Sequence, residues 1–259
     1  MSKTHRTEAD VARLALACLD LTSLNDGDRD ADVIALCQRA AGAQRTPAAL
    51  CVWSQLARVA VQHAPRGVRV AAVANFPDGG TDLQRALADT ERIVQAGAHE
   101  VDVVLPYRAL LAGDDKTCSA LLRAVRRACA GLTLKVILET GELREPSWMQ
   151  RAARLALAEG ADFLKTSSGK TPISATPEAA RCLLGEIAAD AGARSRVGFK
   201  AAGGIRTVAD AARYIELVDE GLGPDAVTAK RFRIGASALL SDIERVLGGT
   251  GAADPAARY

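Results

Sequence analysis

Eight short apolar runs recur along the chain, and most of them are continuous rather than alternating in polarity. Their bounds and sequences are 18–22 (CLDLT), 49–53 (ALCVW), 69–76 (RVAAVANF), 100–107 (EVDVVLPY), 133–140 (TLKVILET), 162–168 (DFLKTSS), 196–203 (RVGFKAAG) and 231–237 (RFRIGAS). Continuous runs of this kind are typical of parallel strands that are covered by helices. We therefore expect eight strands in a parallel sheet.

Segments rich in Ala, Leu, Arg and Glu separate these runs and have helical spacing. One of them begins with Thr176 as an N-cap, Pro177 at the first helical position and Glu178 in the first turn. Three of the segments end in AGA or EGA just before a strand, and a glycine in that place is a common helix C-terminus. Helices and strands are thus expected to alternate.

Strands begin roughly every 20 to 35 residues, which is the period of a βα unit. Eight such units predict a (β/α)8 TIM barrel. It forms a single domain over residues 1–259, with one extra N-terminal helix and a flexible C-terminal tail at about 248–259. The alternative is a doubly wound sheet, which usually has a Gly-rich fingerprint after its first strand. The sequence CLDLTSLNDGD has none.

Composition and charge narrow the range of partners. Of the 259 residues, 49% are hydrophobic and 25% are charged, and the net charge is +2, so we expect no nucleic-acid or membrane surface. No apolar run is long enough to span a bilayer, and the polar start MSKTHRTEAD predicts no secretory signal.

The metal-binding and redox residues are sparse. The six cysteines include no C-x-x-C pair, which predicts a reduced, cytoplasmic protein rather than a disulfide framework. The three histidines are scattered, and there is no His/Cys cluster, so no zinc site is expected.

Lysine is rare in this chain, with 7 lysines among the 33 basic residues. Lys165 ends an apolar run, and Lys170 follows a Ser-Ser-Gly turn five residues later. Arginine supplies most of the surface charge but cannot supply a neutral amine near pH 7. A lysine inside an apolar strand therefore indicates a specific role.

Lys165 and Lys200 lie toward the ends of the sixth and seventh predicted strands, where TIM barrels carry their catalytic groups. Neighbouring strands are about 4.8 Å apart, so two inward-pointing ammonium groups would lie close together. Mutual repulsion and desolvation would then lower the pKa of one amine and make it a Schiff-base nucleophile. The alternative is two independent lysines that reach solvent.

Asp102 lies in the fourth predicted strand between valines, where a carboxylate needs a partner. We interpret Asp102 as a proton shuttle beside the two lysines. The alternative is a structural ion pair inside the barrel.

Three turns of small residues follow the last three strands, namely SSGK, GGIR and GAS. Glycine turns and helix N-termini bind anions, and phosphate sites in TIM barrels often use the loops after strands seven and eight. Lys170 would add positive charge. These turns predict a phosphate site, and the alternative is ordinary turn glycine.

The blocks LDLTSLND, NFPDGG, EVDVVLPYRAL, LKVILETGEL, ADFLKTSSGK, VGFKAAGGIRT and RFRIGASALL occur in this order along nearly the whole chain. With these blocks the chain resembles the deoxyribose-phosphate aldolase family. The final Tyr259 also resembles the C-terminal tyrosine of the longer bacterial forms. The resemblance implies a class I aldolase with no metal or other cofactor, on a TIM barrel.

Its implied reaction is reversible cleavage of 2-deoxy-D-ribose 5-phosphate to D-glyceraldehyde 3-phosphate and acetaldehyde, in deoxynucleoside catabolism. The partner would be a small sugar phosphate, and a homodimer is allowed but not required. The alternatives are another Schiff-base sugar-phosphate aldolase or a transaldolase, or a sugar-phosphate-binding barrel without activity.

The resemblance also assigns roles to single residues. Lys165 matches the Schiff-base lysine, Lys200 the second lysine that depresses its pKa, and Asp102 the proton-relay carboxylate, with Asp20 supporting it. Tyr259 would assist the proton step. The substrate and phosphate residues would be Thr166, Gly169, Lys170, Gly203, Gly204, Gly235 and Ser237.

Two positions depart from the family pattern. Ala201 replaces a proline that often follows the second lysine, and Ala238 replaces a second serine in the last phosphate turn. The second change removes one hydroxyl donor from the predicted phosphate site. Cys51 matches a cysteine near the pocket of some members, and we interpret it first as a packing residue.

Overall fold

The fold is a closed barrel of eight parallel strands that follow one another in chain order. The computed structural model describes residues 6–42 and 46–248. The strand bounds are β1 Leu19–Thr22, β2 Ala49–Trp53, β3 Arg69–Ala74, β4 Glu100–Val104, β5 Thr133–Ile137, β6 Phe163–Lys165, β7 Gly198–Ala202 and β8 Phe232–Ala236. The predicted TIM barrel is confirmed.

Helices cover the outside of this barrel. Their bounds are α1 Glu8–Ala17, α2 Asp30–Gly42, α3 Ala57–His63, α4 Leu83–Gln95, α5 Tyr107–Leu111, α6 Asp115–Ala128, α7 Thr140–Leu143, α8 Pro146–Ala158, α9 Pro177–Ala189, α10 Val208–Leu222 and α11 Leu239–Val246. Short 3-10 helices at Ser54–Leu56 and Pro224–Ala226 complete the described part. The first helix is the predicted extra one, and the residues predicted as a tail lie outside the described range from 249 onward.

Side chains at the helix starts explain where several helices begin. Thr176 caps α9 by accepting a hydrogen bond from the backbone N–H of Ala179, as its sequence predicts. Thr207 and Asp210 form a reciprocal capping box at the start of α10. These caps satisfy backbone donors that the first helical turn otherwise leaves unpaired.

Most of the apolar core lies between the strands and the helices. Outward-facing strand residues such as Leu50, Val101, Val136, Leu164 and Phe199 are fully or almost fully buried there. The helices contribute small and branched side chains from one face each. This layer supplies the hydrophobic stabilisation of the fold, at about 25 cal/mol for each Å² of buried apolar surface.

The strands are shorter than the apolar runs predict. Asn75 leaves β3 with a positive φ of 53° and is followed by a cis peptide bond between Phe76 and Pro77. The run after β4 turns at Pro106 into α5, and the run after Lys165 becomes a loop. The residues just after the strands therefore form the mouth of the barrel instead of extending the sheet.

Gly198 shows how tightly the barrel interior is filled. A Cβ atom at this position would lie 2.3 Å from Cε1 of the Phe163 ring on the neighbouring strand. The missing side chain of Gly198 makes room for that ring. By contrast, a Cβ at Gly185 in α9 would meet nothing within 4 Å.

We predict that Gly198→Ala lowers the free energy of unfolding by about 1–3 kcal/mol, because the interior must shift to relieve the overlap. Urea denaturation measures this change. In the control Gly185→Ala, stability should be unchanged or rise by up to about 1 kcal/mol, because alanine favours an exposed helix interior. An unchanged midpoint for the Gly198 variant would contradict the packing described here.

Candidate active site

A group of charged side chains fills the interior of the barrel. We call it the barrel charge cluster, and its members are Asp20, Glu100, Asp102, Lys135, Lys165, Lys200 and Arg233. All seven are at most 3% exposed. TIM-barrel interiors are usually filled by branched apolar residues. Here apolar side chains are replaced by ion pairs.

Strand register brings these side chains together. Lys165 is paired with Lys200 across β6 and β7, and Asp102 is paired with Lys135 across β4 and β5. Side chains two residues apart on a strand share a face, so Glu100 points inward with Asp102. The register of the strands therefore determines which charges meet inside the barrel.

Asp102 is the centre of the cluster, because three ammonium groups share its carboxylate. Lys135 Nζ donates to Oδ1 at 2.7 Å, whereas Lys165 Nζ and Lys200 Nζ both donate to Oδ2, at 3.0 and 2.8 Å. Burial opposes ionisation of Asp102, but the three lysines outweigh it and hold its pKa well below the usual range. Asp102 is therefore a carboxylate at neutral pH.

Lys200 and Lys135 each contact further carboxylates. Lys200 Nζ lies 2.5 Å from Asp20 Oδ2, and Lys135 Nζ lies 2.5 Å from Glu100 Oε2. Burial favours their neutral forms, but the surrounding carboxylates outweigh it. The pKa of Lys200 is raised well above its ordinary value, and that of Lys135 is also raised. Both remain protonated ammonium ions.

Lys165 differs from the other two buried lysines. Among the described residues, the ion-pair contact of its Nζ is with Oδ2 of Asp102, and Lys200 shares that atom. Burial lowers the pKa of Lys165 most, Lys200 lowers it further, and Asp102 only partly opposes them, so the net shift is downward. Lys165 is thus the buried lysine that loses its proton most readily, and a neutral amine is a nucleophile for carbonyl carbon.

Arg233 binds the two other carboxylates of the cluster, those of Asp20 and Glu100. Arg233 donates to Asp20 Oδ1 at 2.6 Å and to Glu100 Oε1 at 2.8 Å. Its guanidinium lies 5.6 Å from the centre of the Phe163 ring. Burial opposes the charge of Arg233, yet Asp20 and Glu100 raise its pKa above the ordinary value. Arg233 therefore compensates the two carboxylates that do not reach Lys165.

The sequence analysis did not single out three members of the barrel charge cluster, Glu100, Lys135 and Arg233. It also did not single out Glu139, a buried carboxylate at the mouth of the barrel. A signal existed for Lys135, which lies inside an apolar run in a chain that uses few lysines. Glu100 precedes Asp102 by two residues, which places both on one strand face. The position of Glu139 depends on a turn after β5 and had no such signal.

The structure also gives the surroundings of Cys51. This thiol is fully buried, and its Sγ lies 3.9 Å from Asp102 Oδ2. Burial raises its pKa, so it is a neutral thiol. Cys51 is therefore both a packing residue, as predicted, and a neighbour of the charge cluster.

The predicted phosphate residues lie around the mouth, at the ends of β6, β7 and β8. Gly169, Gly203 and Gly204 all have a φ near +80°, and a Cβ on Gly203 would lie 3.3 Å from Cα of Gly169. The turns after β6 and β7 are therefore in contact. Ser237 Oγ after β8 is buried and has no hydrogen-bond partner among the residues described.

Two of the predicted substrate residues have structural contacts of their own. A Cβ on Gly235 would lie 3.0 Å from Lys200 Cε, so this glycine makes room for the lysine side chain. Thr166 Oγ1 accepts a hydrogen bond from the backbone N–H of Ala202 at 3.1 Å. Both residues therefore help to hold β7 and its lysine.

Lys170 reaches across the mouth. Its Nζ lies 2.8 Å from Asp26 Oδ1, in the loop after β1, and 5.9 Å from the centre of the Trp53 ring. Asp26 is 90% exposed whereas Lys170 is 23% exposed, so the carboxylate of this ion pair faces solvent, where such pairs contribute little to stability. Tyr259, the predicted assistant in proton transfer, lies outside the described residues.

In the ranges 6–42 and 46–248, no group of three or more His, Cys, Asp or Glu side chains is arranged to hold a metal ion. Within the same ranges, no helix has the length and apolar character needed to cross a bilayer.

Comparison with known proteins assigns the chain to a family. Residues 14–242 match the model of the DeoC/LacD family aldolases. The chain belongs to this aldolase family. The match covers every strand of the barrel and all members of the barrel charge cluster.

Solved structures with the same fold agree with this aldolase assignment. An apo-form crystal structure from Toxoplasma gondii ME49, provisionally identified as a deoxyribose-phosphate aldolase, is 26% identical with a TM-score of 0.85. The match covers 93% of this chain and 98% of that one. A second crystal structure, from Coccidioides immitis and with the same provisional identification, is 27% identical with a TM-score of 0.79, over 92% and 86% of the chains.

A third structure shows the fold alone. It is the deoxyribose phosphate aldolase from Aeropyrum pernix, described as tetrameric, which is 23% identical with a TM-score of 0.70. The match covers 93% of the chain described here and 92% of the Aeropyrum pernix chain.

The arrangement around Lys165 predicts how its reactivity depends on pH. In Lys200→Met a positive charge near Lys165 is lost, and Asp102 is less neutralised. Both changes raise the pKa of Lys165. Because the neutral amine forms as pH rises through this pKa, the rate of imine formation with acetaldehyde should rise at higher pH than in the wild type. Reductive trapping at a series of pH values measures it.

The matched control is Lys230→Met, which removes an exposed lysine outside the cluster. Its pH profile should coincide with that of the wild type. A Lys200→Met profile that is unchanged, or that moves to lower pH, would show that Lys200 does not help to depress the pKa of Lys165.

Proposed function

We propose that this aldolase cleaves 2-deoxy-D-ribose 5-phosphate to D-glyceraldehyde 3-phosphate and acetaldehyde through a Schiff base on Lys165. The observation that carries the proposal is the unequal compensation of the three buried lysines. Within residues 6–42 and 46–248, Lys165 contacts one shared carboxylate oxygen, and its pKa is lowered, whereas Lys135 and Lys200 are held as cations. The family and the provisional identifications of two neighbours support this substrate.

In the proposed reaction, the neutral Lys165 amine attacks the C1 aldehyde of the open-chain sugar. Loss of water gives an iminium ion, which can accept an electron pair. Products of two and three carbons require the C2–C3 bond to break, so the C3 hydroxyl gives up its proton and becomes the new aldehyde. The electron pair of the broken bond forms an enamine on the lysine.

Asp102 is the proposed proton carrier, either directly or through a water molecule that it orients. Its carboxylate contacts the Lys165 nitrogen, so it lies next to the atoms that react. Proton return to C2 of the enamine, followed by hydrolysis, releases acetaldehyde and restores the lysine. Lys200 stays protonated and keeps the site positive during these steps. Assistance by Tyr259 stays a prediction.

Phosphate binding is assigned to the turns after β6, β7 and β8, with Gly169, Lys170, Gly204 and Ser237 as its main residues. The Ser237 hydroxyl, which has no hydrogen-bond partner among the described residues, and the ammonium group of Lys170 at the mouth of the barrel support this assignment. Thr166, Gly203 and Gly235 would support these turns through their contacts with Ala202, Gly169 and Lys200.

Other features of the proposal stay predictions. A reduced, cytoplasmic protein stays a prediction from the cysteine spacing. A role in deoxyribose phosphate catabolism is inferred from the resemblance alone, and a homodimer stays a prediction that the sequence does not decide.

Another sugar-phosphate aldolase of the same family is the second candidate, because the family model covers more than one kind of aldolase. Product analysis with deoxyribose 5-phosphate and with fructose phosphates as separate substrates distinguishes the two. Turnover of a fructose phosphate alone would favour the second candidate.

Borohydride trapping tests the nucleophile. With acetaldehyde present, we expect a reduced adduct on Lys165, located by peptide mass spectrometry, and no adduct in Lys165→Met. Lys230→Met is the control and should be labelled like the wild type. An adduct on Lys200, or an unlabelled Lys165, would refute the assignment.

The coupled assay for glyceraldehyde 3-phosphate should give the same rate with and without a chelator, and a loss on chelation would contradict a metal-free reaction.

Substitution of Lys170 tests the phosphate site. In Lys170→Met a charged donor is lost, so KM for deoxyribose 5-phosphate should rise by about tenfold, with little change in kcat. KM for unphosphorylated 2-deoxyribose should stay the same. The control Lys116→Met removes an exposed lysine on α6 and should change neither value. Equal KM changes for both sugars would place Lys170 outside the phosphate site.

A further inference from the structure

Glu139 is a buried carboxylate outside the barrel charge cluster. It follows β5 at the mouth, is 0% exposed and has a left-handed backbone with φ of 57°. Its two carboxylate oxygens accept from the backbone N–H of Ser168 at 3.2 and 3.3 Å. Thr171 Oγ1 lies 3.2 Å from Glu139 Oε1 and 3.1 Å from the carbonyl oxygen of Ile173, so its one hydroxyl proton is shared between these two acceptors. Its hydrogen bonds thus run to the turn that carries Gly169 and Lys170.

The backbone on either side of Glu139 holds the strand of the nucleophile. The N–H of Leu138 donates to the carbonyl of Lys165, and the N–H of Thr140 donates to the carbonyl of Thr166, both at 2.9 Å. One three-residue segment therefore binds the lysine strand through its backbone and the following turn through the Glu139 side chain.

A third contact lies just beyond this segment. A Cβ on Gly141 would lie 2.0 Å from the carbonyl oxygen of Ile173, so the two backbones pack directly against each other. A buried carboxylate is costly unless its hydrogen bonds are made. The turn is therefore held against residues 139–141 at both of its ends.

We propose that Glu139 is a positioning residue that fixes the 168–171 turn relative to Lys165 and so makes the enzyme select phosphorylated over unphosphorylated sugars. The inference rests on the proposed function. In a five-carbon sugar phosphate the aldehyde and the phosphate are at opposite ends of the chain. An imine at Lys165 and a phosphate at the turn can form together only if their separation is held constant, and Glu139 holds it.

The test compares Glu139→Ala with Glu139→Gln. In Glu139→Ala the turn loses its acceptor, so KM for deoxyribose 5-phosphate should rise by about tenfold, the effect of losing hydrogen bonds to a charged group. The value of kcat/KM for unphosphorylated 2-deoxyribose should stay close to that of the wild type. Glu139→Gln keeps an acceptor oxygen at the same reach and should restore most of the phosphate preference.

Two further variants complete the design. Glu142→Ala removes a carboxylate from α7, the short helix that directly follows Glu139, and is the matched control with unchanged kinetics for both sugars. Thr171→Val removes only one of the donors to Glu139 and should shift the phosphate preference in the same direction by a smaller factor. It keeps the test decisive if Glu139→Ala does not fold.

Hydrogen–deuterium exchange of the ligand-free protein gives a readout that is independent of turnover. The peptide with residues 168–173 should exchange faster in Glu139→Ala than in Glu142→Ala. The inference is overturned if exchange is unchanged, or if Glu139→Ala affects both sugars equally or neither of them.

Failure of the proposed function is recognised separately. If the wild type does not cleave deoxyribose 5-phosphate, titration calorimetry with glycerol 3-phosphate replaces the kinetic comparison. Weaker binding to Glu139→Ala than to Glu142→Ala then supports the positioning role, and equal binding overturns it. If the wild type is active, the kinetic comparison replaces calorimetry, and the exchange measurement applies in either case.

Discussion

The carboxylate of Asp102, shared by three lysine ammonium groups, is the interaction on which the rest of the site depends. The barrel charge cluster contains four cations and three carboxylates, so one cation is left with the least compensation. Asp20 compensates Lys200, Glu100 compensates Lys135, and the remaining lysine, Lys165, has only part of Asp102. The proposed choice of Lys165 as the nucleophile therefore follows from the placement of carboxylates rather than from any property of lysine itself.

Hydrophobic packing elsewhere in the fold offsets the free-energy cost of burying these charges. Removing one partner from a buried ion pair typically costs about 3–5 kcal/mol, so the cluster tolerates little change. The apolar layer between strands and helices supplies the hydrophobic stabilisation, which leaves the interior free for charges. Glycine at positions 198 and 235 leaves space for the side chains of Phe163 and Lys200. Packing of the interior and the electrostatics of the site are thus parts of one arrangement.

Much of this was readable from sequence, because strand ends and side-chain alternation are local patterns. They placed Lys165, Lys200 and Asp102 together and predicted the barrel. The sequence attributed the low pKa of Lys165 to a second cation and to desolvation without ranking them, and in the structure burial has the larger effect while Asp102 opposes it. That balance depends on how many carboxylates each lysine contacts. Glu139 was beyond prediction because its position depends on a left-handed turn and on a loop far along the chain.

The central claim is the order of proton affinities among the buried lysines, and NMR titration of ¹³Cε-labelled lysine in the free enzyme measures it directly. Single Lys→Met variants would assign the signals. The account predicts that Lys165 titrates below the ordinary lysine range, while Lys135 and Lys200 stay charged to higher pH than an exposed lysine. A Lys165 signal that titrates with the surface lysines, or a lower pKa for Lys200 than for Lys165, would contradict it.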